Sequence, residues 1–205
     1  YGIHNDPSLT LGYFKTSHGP IMAAADEFSV FIEGKGGHGA EPENTIDPLI
    51  VGVQTVQSIQ TVSSRNLSAL DSVVISITQI HSGTTHNIIP NTCFINGTVR
   101  TLTKTTQKLV VKRLKEICKG QSIAFNGDVR LDYVYGYPAT KNHPKETIFA
   151  ANVAKQIVGV NNVNAKAEPI MASEDFSYML KQRPGSYLLL GQGEGPSVHN
   201  PDYDF

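Results

Sequence analysis

Residues 28–48 read FSVFIEGKGGHGAEPENTIDP, and the rest of the fold can be built outward from this stretch. Its first five residues alternate as a strand does, and Asp47 followed by Pro48 is typical of a helix start. The glycines between them predict a loop whose backbone turns freely and can approach a ligand closely, with His38 presented from it. A histidine held this way is often a functional group, but a merely solvated side chain fits the local sequence equally well.

Strand and helix patterns alternate in the order β-α-β-β-α-β over residues 26–138. That order predicts a ferredoxin-like α+β domain, in which two helices cover one face of an antiparallel sheet. An outer strand or helix of such a domain is a natural dimer surface. The predicted strands are 27–33, 72–80, 92–102 and 129–137, and the predicted helices run from Asp47 to Val62 and from about Thr105 onward.

Residues 1–25 and 139–205 predict two parts of one α/β domain that the ferredoxin-like segment interrupts. A helix is predicted over 144–158, with Ile148, Val153 and Ile157 on its inner side. Ser173 is the predicted cap of a second helix that runs through Leu180. The apolar run 186–190 reads as a buried strand of a parallel sheet.

The composition excludes several classes of function. Of the 205 residues 40% are hydrophobic and 17% charged, and the formal net charge is -1, with no basic run that would suit nucleic acid or a membrane surface. No apolar run approaches the roughly 18 residues that a membrane-spanning helix needs. Cys93 and Cys118 read as buried thiols, which predicts a cytoplasmic protein. Both ends look cut, so we expect a piece of a longer protein.

His4 and His199 are candidate metal ligands. Each follows an apolar, strand-like run and enters a loop, and ligands of α/β sheets gather outside the carboxyl ends of strands. Neutral imidazole is the commonest protein ligand for a metal ion. Two ligands alone do not make a site, however, and two unrelated surface histidines would look the same.

Three further features carry weaker signals. Glu174 and Asp175 form a carboxylate pair at a predicted helix start, where negative charge is favoured in any case. Asn87 belongs to a polar doublet with His86 before a predicted hairpin turn. Arg100 lies in a predicted strand, either as a surface residue or as a residue whose guanidinium group binds a carboxylate through two hydrogen bonds.

Taken together, the motifs resemble the M20 family of metallopeptidases and amidohydrolases. The most similar branch holds hippurate hydrolases, N-acyl-amino-acid amidohydrolases and plant auxin-conjugate hydrolases. The matching motifs follow the family's order and span nearly the whole chain. They are Gly2-Ile3-His4, Gly34-Lys35-Gly36-Gly37-His38, Thr45-Ile46-Asp47-Pro48, Ser63-Ser64-Arg65, Asn87-Ile88-Ile89-Pro90, Gly97-Thr98-Val99-Arg100-Thr101, Met171-Ala172-Ser173-Glu174-Asp175-Phe176 and His199-Asn200-Pro201.

The resemblance implies a metal-dependent hydrolase that cleaves the amide bond of N-acyl amino acids or small peptides. It implies two divalent ions, zinc or manganese, with His4 and His199 each binding one of them. His38 and Asn87 would reach the active site of the partner subunit of a homodimer, and Arg100 would bind the substrate's carboxylate. Residues 26–138 would be the dimerisation or lid domain, and the flanking parts would belong to a zinc-peptidase-like catalytic domain.

The sequence also departs from the family pattern. The family's N-terminal half carries a Cys/His metal motif and a paired-glutamate motif that supplies the general base, and neither occurs among these 205 residues. We therefore expect the chain alone to be inactive and its site incomplete. Two other functions remain open: a dimerisation and substrate-binding module without chemistry, and a regulatory domain that binds a small amino acid.

Overall fold

The chain folds as two units, one of which interrupts the other. The computed structural model describes residues 1–204. The first unit comprises residues 1–24 and 137–205, and the second comprises residues 25–136. The borders predicted from the sequence, after residues 25 and 138, lie within two residues of these.

The helices and strands of the described residues run in chain order as follows. The strands are β1 (Gly2–Asp6), β2 (Phe14–Lys15), β3 (Gly19–Met22), β4 (Ala24–Glu33), β5 (Gly37–His38), β6 (Val73–Ser82), β7 (Ile88–Ile89), β8 (Thr92–Thr101), β9 (Asp128–Tyr137), β10 (Thr140–Asn142), β11 (Val163–Asn164) and β12 (Tyr187–Gly191). The helices are α1 (Pro48–Thr61), α2 (Lys104–Phe125), α3 (Pro144–Val158) and α4 (Phe176–Gln182).

The second unit has the predicted ferredoxin-like arrangement. Its main sheet has the strand order β6-β8-β4-β9, which is the order of the split βαβ fold. Strand β6 pairs antiparallel with β8, with one irregularity between Ile77 and Gln79. The core fills the space between the sheet and the two helices, and it includes Phe28, Val99 and Leu114.

Local signals set both helices of this unit. The carboxylate of Asp47 accepts a hydrogen bond of 2.9 Å from Leu49 N, and Pro48 occupies the first helical position of α1. Thr103 caps α2 in the same way through Thr106 N, and Asn126 ends it in the left-handed conformation. The predicted helix starts are therefore confirmed to within about one residue.

Helix α1 carries apolar residues on two sides. The helical spacing of Leu49, Ile50, Val53 and Ile59 predicts one inner face, but of these only Ile59 lies in the core, together with Val51. Leu49, Ile50 and Val53 are exposed. Helix α1 packs against β6, an edge strand of the sheet, so the helix next to this edge carries exposed apolar side chains.

A buried carboxylate holds the base of this unit together. Asp26, only 1% exposed, accepts hydrogen bonds from the side chains of Gln107 and Tyr133 and from Gly136 N. Burial, and then the hydrogen bond to Asp26, raises the pKa of the Tyr133 hydroxyl. The three donors satisfy a charge that would otherwise be costly to bury, and they join β4, α2 and β9.

The first unit places a four-stranded sheet of order β1-β12-β2-β11 between its two helices. Strand β12 runs parallel to β1 and antiparallel to β2. Leu188 packs with Ala154 of α3 on one face, and Tyr187 and Leu189 pack with Phe176 of α4 on the other. Strand β12 is thus buried as predicted, but its sheet is mixed and not parallel, because β2 runs antiparallel to it.

Two details of this unit differ from the prediction. Ile148, Val153 and Ile157 are exposed, because α3 turns its small side chains Ala150, Ala151 and Ala154 toward the sheet. Small residues let a helix approach a sheet closely, whereas the hydrophobic periodicity favours the larger ones.

The second difference concerns the start of α4. Its N-cap is Asp175 and not Ser173, so the helix begins two residues later than predicted, although it contains Leu180 as expected. Among the described residues no helix is both long enough and apolar enough to cross a membrane.

Candidate functional site

A short ladder between β5 and β7 carries the predicted site residues of the second unit. His38 pairs with Ile88 and Gly37 with Ile89, in antiparallel register. Gly39 N donates to the carbonyl of Asn87 over 2.9 Å, which continues the ladder by one step. The structure therefore brings His38 and Asn87, 49 positions apart in the sequence, to the same end of the unit.

The glycines before His38 permit close backbone contacts rather than turns. A Cβ atom on Gly34 would lie 2.2 Å from the carbonyl oxygen of Ile46, and one on Gly36 would lie 2.5 Å from that of Ile89. The glycines with positive φ among the described residues all lie elsewhere in the chain. The expectation of a freely turning loop is therefore corrected: His38 stands on a paired strand.

A backbone contact sets the proton position of His38. The Ala40 N–H donates to Nδ1 of His38 over 3.1 Å, so Nδ1 is an acceptor and the neutral ring carries its proton on Nε2. The side chain is exposed. His38 therefore presents an N–H donor to the surroundings.

Asn87 is oriented in a similar way. Its side-chain oxygen accepts a hydrogen bond from the Thr85 hydroxyl over 3.5 Å, and the residue is exposed. The amide NH₂ group is the end that remains to donate outward. His38 and Asn87 are thus two exposed donors at one end of a short ladder.

In the first unit, His4 lies in β1 rather than at its end. Its Nδ1 is 2.6 Å from the backbone oxygen of Asn5, so Nδ1–H is the donor and Nε2 keeps its lone pair. Metal-binding histidines are held in this way, with one ring nitrogen donating to a carbonyl and the other free for the metal. His4 is in register with Leu189, whose side chain lies in the cluster beneath α4.

Glu174 lies on the same side of the sheet. It accepts a hydrogen bond of 2.6 Å from the Tyr187 hydroxyl. Burial raises the pKa of Glu174, but the hydrogen bonds from Tyr187 and Phe176 N outweigh it and lower the pKa. The hydrogen bond with Glu174 raises the pKa of Asp175.

His199 lies in a turn beyond β12. It is exposed, with φ of 68°, and a hydrogen bond from Asn200 N to Ser197 O closes the turn. The segment that carries it is tied back to β1: the Asn5 amide donates to Gln192 and to the Tyr203 hydroxyl. The loop of one candidate ligand is thus anchored on the residue next to the other.

Arg100 stands apart from the His38 ladder. It is half-buried in β8, opposite Val74, on the sheet face that the helices leave uncovered. Phe94 of the same strand lines a cavity together with Ile88 and Ile89 of β7, the strand that pairs with His38. Arg100 follows Phe94 by six residues, which is about 20 Å along an extended strand. Within one chain the structure therefore does not bring Arg100 to His38 and Asn87, and its role stays a prediction.

The described residues fit a metal ion only in part. His4 has the right orientation and hydrogen bonding for a ligand, as shown above. No group of three or more histidine, cysteine, aspartate or glutamate residues in positions 1–204 could hold a metal ion. The described part of the chain therefore supplies single ligands and not a complete metal site.

Two features of the site escaped the sequence reasoning. Tyr187 was expected only as part of a buried strand, and no motif indicated its hydrogen bond to Glu174. The second feature is a row of rings on the uncovered sheet face, with Phe31 and Phe94 at its centre. The sequence did contain a signal for this row, because two phenylalanines at the outward positions of strands with an alternating pattern are unusual for a solvated sheet face.

Comparison with known proteins gives these features a family. Residues 24–124 match the M20 peptidase dimerisation domain. The chain is 32% identical over 203 residues to N-acetylcysteine deacetylase of Bacillus subtilis, covering 99% of this chain and 53% of the relative. It is 33% identical to hippurate hydrolase of Campylobacter jejuni, covering 100% of this chain and 54% of the relative. The chain thus spans about half the length of these relatives.

Solved structures agree with the sequence matches. A protein from methicillin-resistant Staphylococcus aureus superposes with a TM-score of 0.90 at 30% identity, over 100% of this chain and 53% of that one. A Bacillus subtilis protein described as a dinuclear metal-binding peptidase of the M20 family superposes with a TM-score of 0.81 at 25% identity, over 100% and 51%. The chain therefore belongs to the M20 family of peptidases and amidohydrolases, and residues 24–124 are its dimerisation domain.

Proposed function

We propose that the full-length protein is a metal-dependent hydrolase that cleaves the amide bond of N-acyl amino acids or small peptides. The observation that carries the proposal is the His38 ladder, which holds an imidazole N–H and the Asn87 amide outward from a rigid support. Amide hydrolysis passes through a tetrahedral oxyanion, and preorganised donors of this kind stabilise it. The deacetylase and hippurate hydrolase named above support the same reaction class.

His4 and His199 would hold the metal, one ion each, together with ligands from outside these 205 residues. Divalent zinc or manganese supplies Lewis-acid polarisation of the amide carbonyl and lowers the pKa of a bound water. The contribution of this chain is to orient the ligands. Asn5 O fixes the ring of His4, and the hydrogen bonds of the Asn5 side chain fix the segment that carries His199.

The active form would be a homodimer in which each chain lends its His38 to the other. Strand β6 is an edge of the sheet and has no lysine, arginine, aspartate or glutamate over ten residues, whereas the opposite edge, β9, carries Asp128, Arg130 and Asp132. A long edge strand without charged residues is normally covered in a protein, because its unpaired backbone groups readily pair with another strand.

The apolar surface beside β6 supports the same interface. Ile80 pairs with Ile95 and so faces the helices, yet it is 48% exposed. It adds to the exposed apolar residues of α1, which are Leu49, Ile50 and Val53. A second copy related by a twofold axis would cover both surfaces at once.

The two cysteines support a cytoplasmic location. Both are free and buried. Burial raises the pKa of the Cys118 thiol to about 11 and also raises that of Cys93. Such thiols are inert and suit a reducing compartment.

Metal analysis of full-length variants tests the proposal. His199→Ala and His4→Ala should each lose a large part of the bound metal, because a missing ligand weakens the site directly. Circular dichroism should show that the fold is retained, and His18→Ala, which changes another exposed histidine of the same unit, serves as the control. Full metal occupancy and full activity in His199→Ala would overturn the assignment.

A further inference from the structure

Helix α2 concentrates positive charge on one face. It carries six of the 17 basic residues of the chain and one of the 18 acidic residues, whereas the whole chain has a net charge of -1. Its five lysines, the lysine row, are all exposed and follow one another in steps of four, four, three and four residues: Lys104, Lys108, Lys112, Lys115 and Lys119. At about 100° per residue these steps keep them within about 80° of the helix circumference, in a straight row about 22 Å long. The lysines are spread along the sequence, so only the helix brings them together.

The lysine row faces away from the proposed dimer surface. Arg113, about 100–180° around the helix from the lysines, donates to Asn66 in the helical turn that follows α1. At the other flank, Lys104 lies 5.0 Å from the ring centre of Tyr135 in β9, the sheet edge opposite to β6. A second copy that covers α1 and β6 therefore leaves the lysine row open to another partner.

Contacts within the chain do not account for the lysine row. Lys112 forms an ion pair of 3.7 Å with Glu116. The other four lysines form no ion pair with any described residue. Like charges four positions apart on a helix repel each other, and a lysine in the first turn opposes the helix dipole. The row therefore costs α2 stability in the free protein, and an anionic partner would relieve the repulsion.

The surroundings of the lysine row select the class of anion. No aromatic side chain stands between the lysines, whereas sites for single-stranded nucleic acid interleave rings that stack with the bases. Ile123, one turn beyond Lys119 and 73% exposed, continues the row with an apolar side chain. A protein partner can cover such a residue and a phosphate backbone cannot, while one isoleucine is too little apolar surface for a membrane.

We propose that the lysine row binds an acidic α-helix of another protein, one that carries carboxylates at the same steps along one face. Two straight helices lying side by side match over the whole row, because their residues repeat with the same rise. The contact is polar and exposed, so it is weak and screened by salt. It is separate from the proposed reaction.

The test uses two fluorescent peptides of about 20 residues, long enough to form a helix. One has glutamates at steps of four, four, three and four residues in an alanine-rich background, and the other has the same composition with the glutamates distributed around the helix. Binding to the full-length protein is followed by fluorescence anisotropy at about 50 mM and 150 mM salt. The first peptide should bind about fivefold or more tightly than the second, and should lose affinity at the higher salt.

Charge reversal locates the site. The combined variant Lys108→Glu, Lys112→Glu and Lys115→Glu should weaken binding of the first peptide by about tenfold or more. Glutamine at the same three positions keeps the helix propensity and removes only the charge, so it should weaken binding by a smaller factor. Circular dichroism should show that both variants keep the fold.

The control for net charge is the combined variant Lys141→Glu, Lys166→Glu and Lys181→Glu, which changes three exposed lysines of the other unit and should leave binding unchanged. Equal affinity for the two peptides, an unchanged affinity after charge reversal in α2, or no binding of either peptide overturns the proposal. Tighter binding of single-stranded RNA of similar length, or of phosphatidylcholine vesicles with about one quarter phosphatidylserine, also overturns it and assigns the row to nucleic acid or to a membrane surface.

Discussion

At the scale of single residues, hydrogen bonds to the backbone set what each histidine can do. Ala40 N–H occupies Nδ1 of His38, which leaves a donor on Nε2, and Asn5 O occupies Nδ1 of His4, which leaves an acceptor on Nε2. In the proposed reaction these two residues of the same type would have opposite tasks: His38 would donate to an anion and His4 would bind a cation. The sequence alone does not distinguish them, because both contacts depend on local backbone geometry.

We expect His38→Ala in the full-length protein to lower kcat by about 10²–10³, because removing one oxyanion donor has typically that effect. Metal content should be unchanged, since His38 is not proposed as a ligand. His86→Ala, at an exposed histidine of the same hairpin, is the control and should retain the wild-type rate. A wild-type rate in His38→Ala would show that the outward donor has no part in the reaction.

The two cysteines should be nearly unreactive in the native protein. The thiolate is the nucleophile, and a pKa of about 11 at Cys118 leaves very little of it at pH 8. Labelling with a thiol reagent should therefore be slow, should accelerate as the pH rises toward that pKa, and should become fast for both thiols on unfolding. The Cys118→Ser variant isolates Cys93, whose pKa is raised by burial despite a hydrogen bond with Ser82. Rapid labelling of the folded protein near neutral pH would contradict the burial of both.

At the scale of elements, close backbone contacts at Gly34 and Gly36 join the His38 ladder to the rest of its unit. A Cβ atom on Gly36 would meet Ile89 O at 2.5 Å, in the strand that His38 pairs with. Gly36→Ala should therefore destabilise the unit by about 1–3 kcal/mol, or shift β5 away from β7. In either case activity should fall more than metal binding does.

Gly120→Ala is the matched control for that change. Gly120 lies in α2, where an added Cβ meets no atom within 4 Å. Alanine there should stabilise the protein by about 0.5–1 kcal/mol, because glycine is a poor helix former. Denaturant melts of both variants measure the effect. A Gly36→Ala variant as stable and as active as the wild type would mean that the close contact at β7 relaxes without consequence.

The sequence predicted elements better than it predicted their faces. Capping residues such as Asp47 act within a few positions, so the starts of α1 and α2 followed from the sequence, whereas that of α4 did not. The inner face of α3 was wrong because burial there depends on how closely the helix approaches the sheet, which favours Ala150 and Ala154 over Ile148. The pairing of His38 with the Asn87 segment joins distant residues, and no local pattern encodes it.

At the scale of the whole molecule, the proposed metal site needs more ligands than the described residues supply. The described residues contain no group of three metal-ligand side chains, and the chain spans about half the length of its relatives. The 205-residue chain should therefore release no amino acid from an N-acyl substrate, even with added zinc or manganese. Robust hydrolysis by the purified chain would show that the catalytic groups lie within these residues.

The last prediction concerns the exchange of His38 between subunits. Full-length homodimers of His38→Ala and of His199→Ala should each be nearly inactive, one without its donor and the other without a metal ligand. A mixed dimer contains one site whose metals come from the His38→Ala chain and whose donor comes from the His199→Ala chain. If the donor acts across the twofold axis, that site is complete and the other is doubly defective, so each mixed dimer should show about half the wild-type rate.

Differently tagged chains, co-refolded and purified through both tags, supply the mixed dimer, and wild-type chains treated alike set the reference. If the purified mixed dimer remains inactive, His38 serves its own subunit and the exchange between chains is wrong.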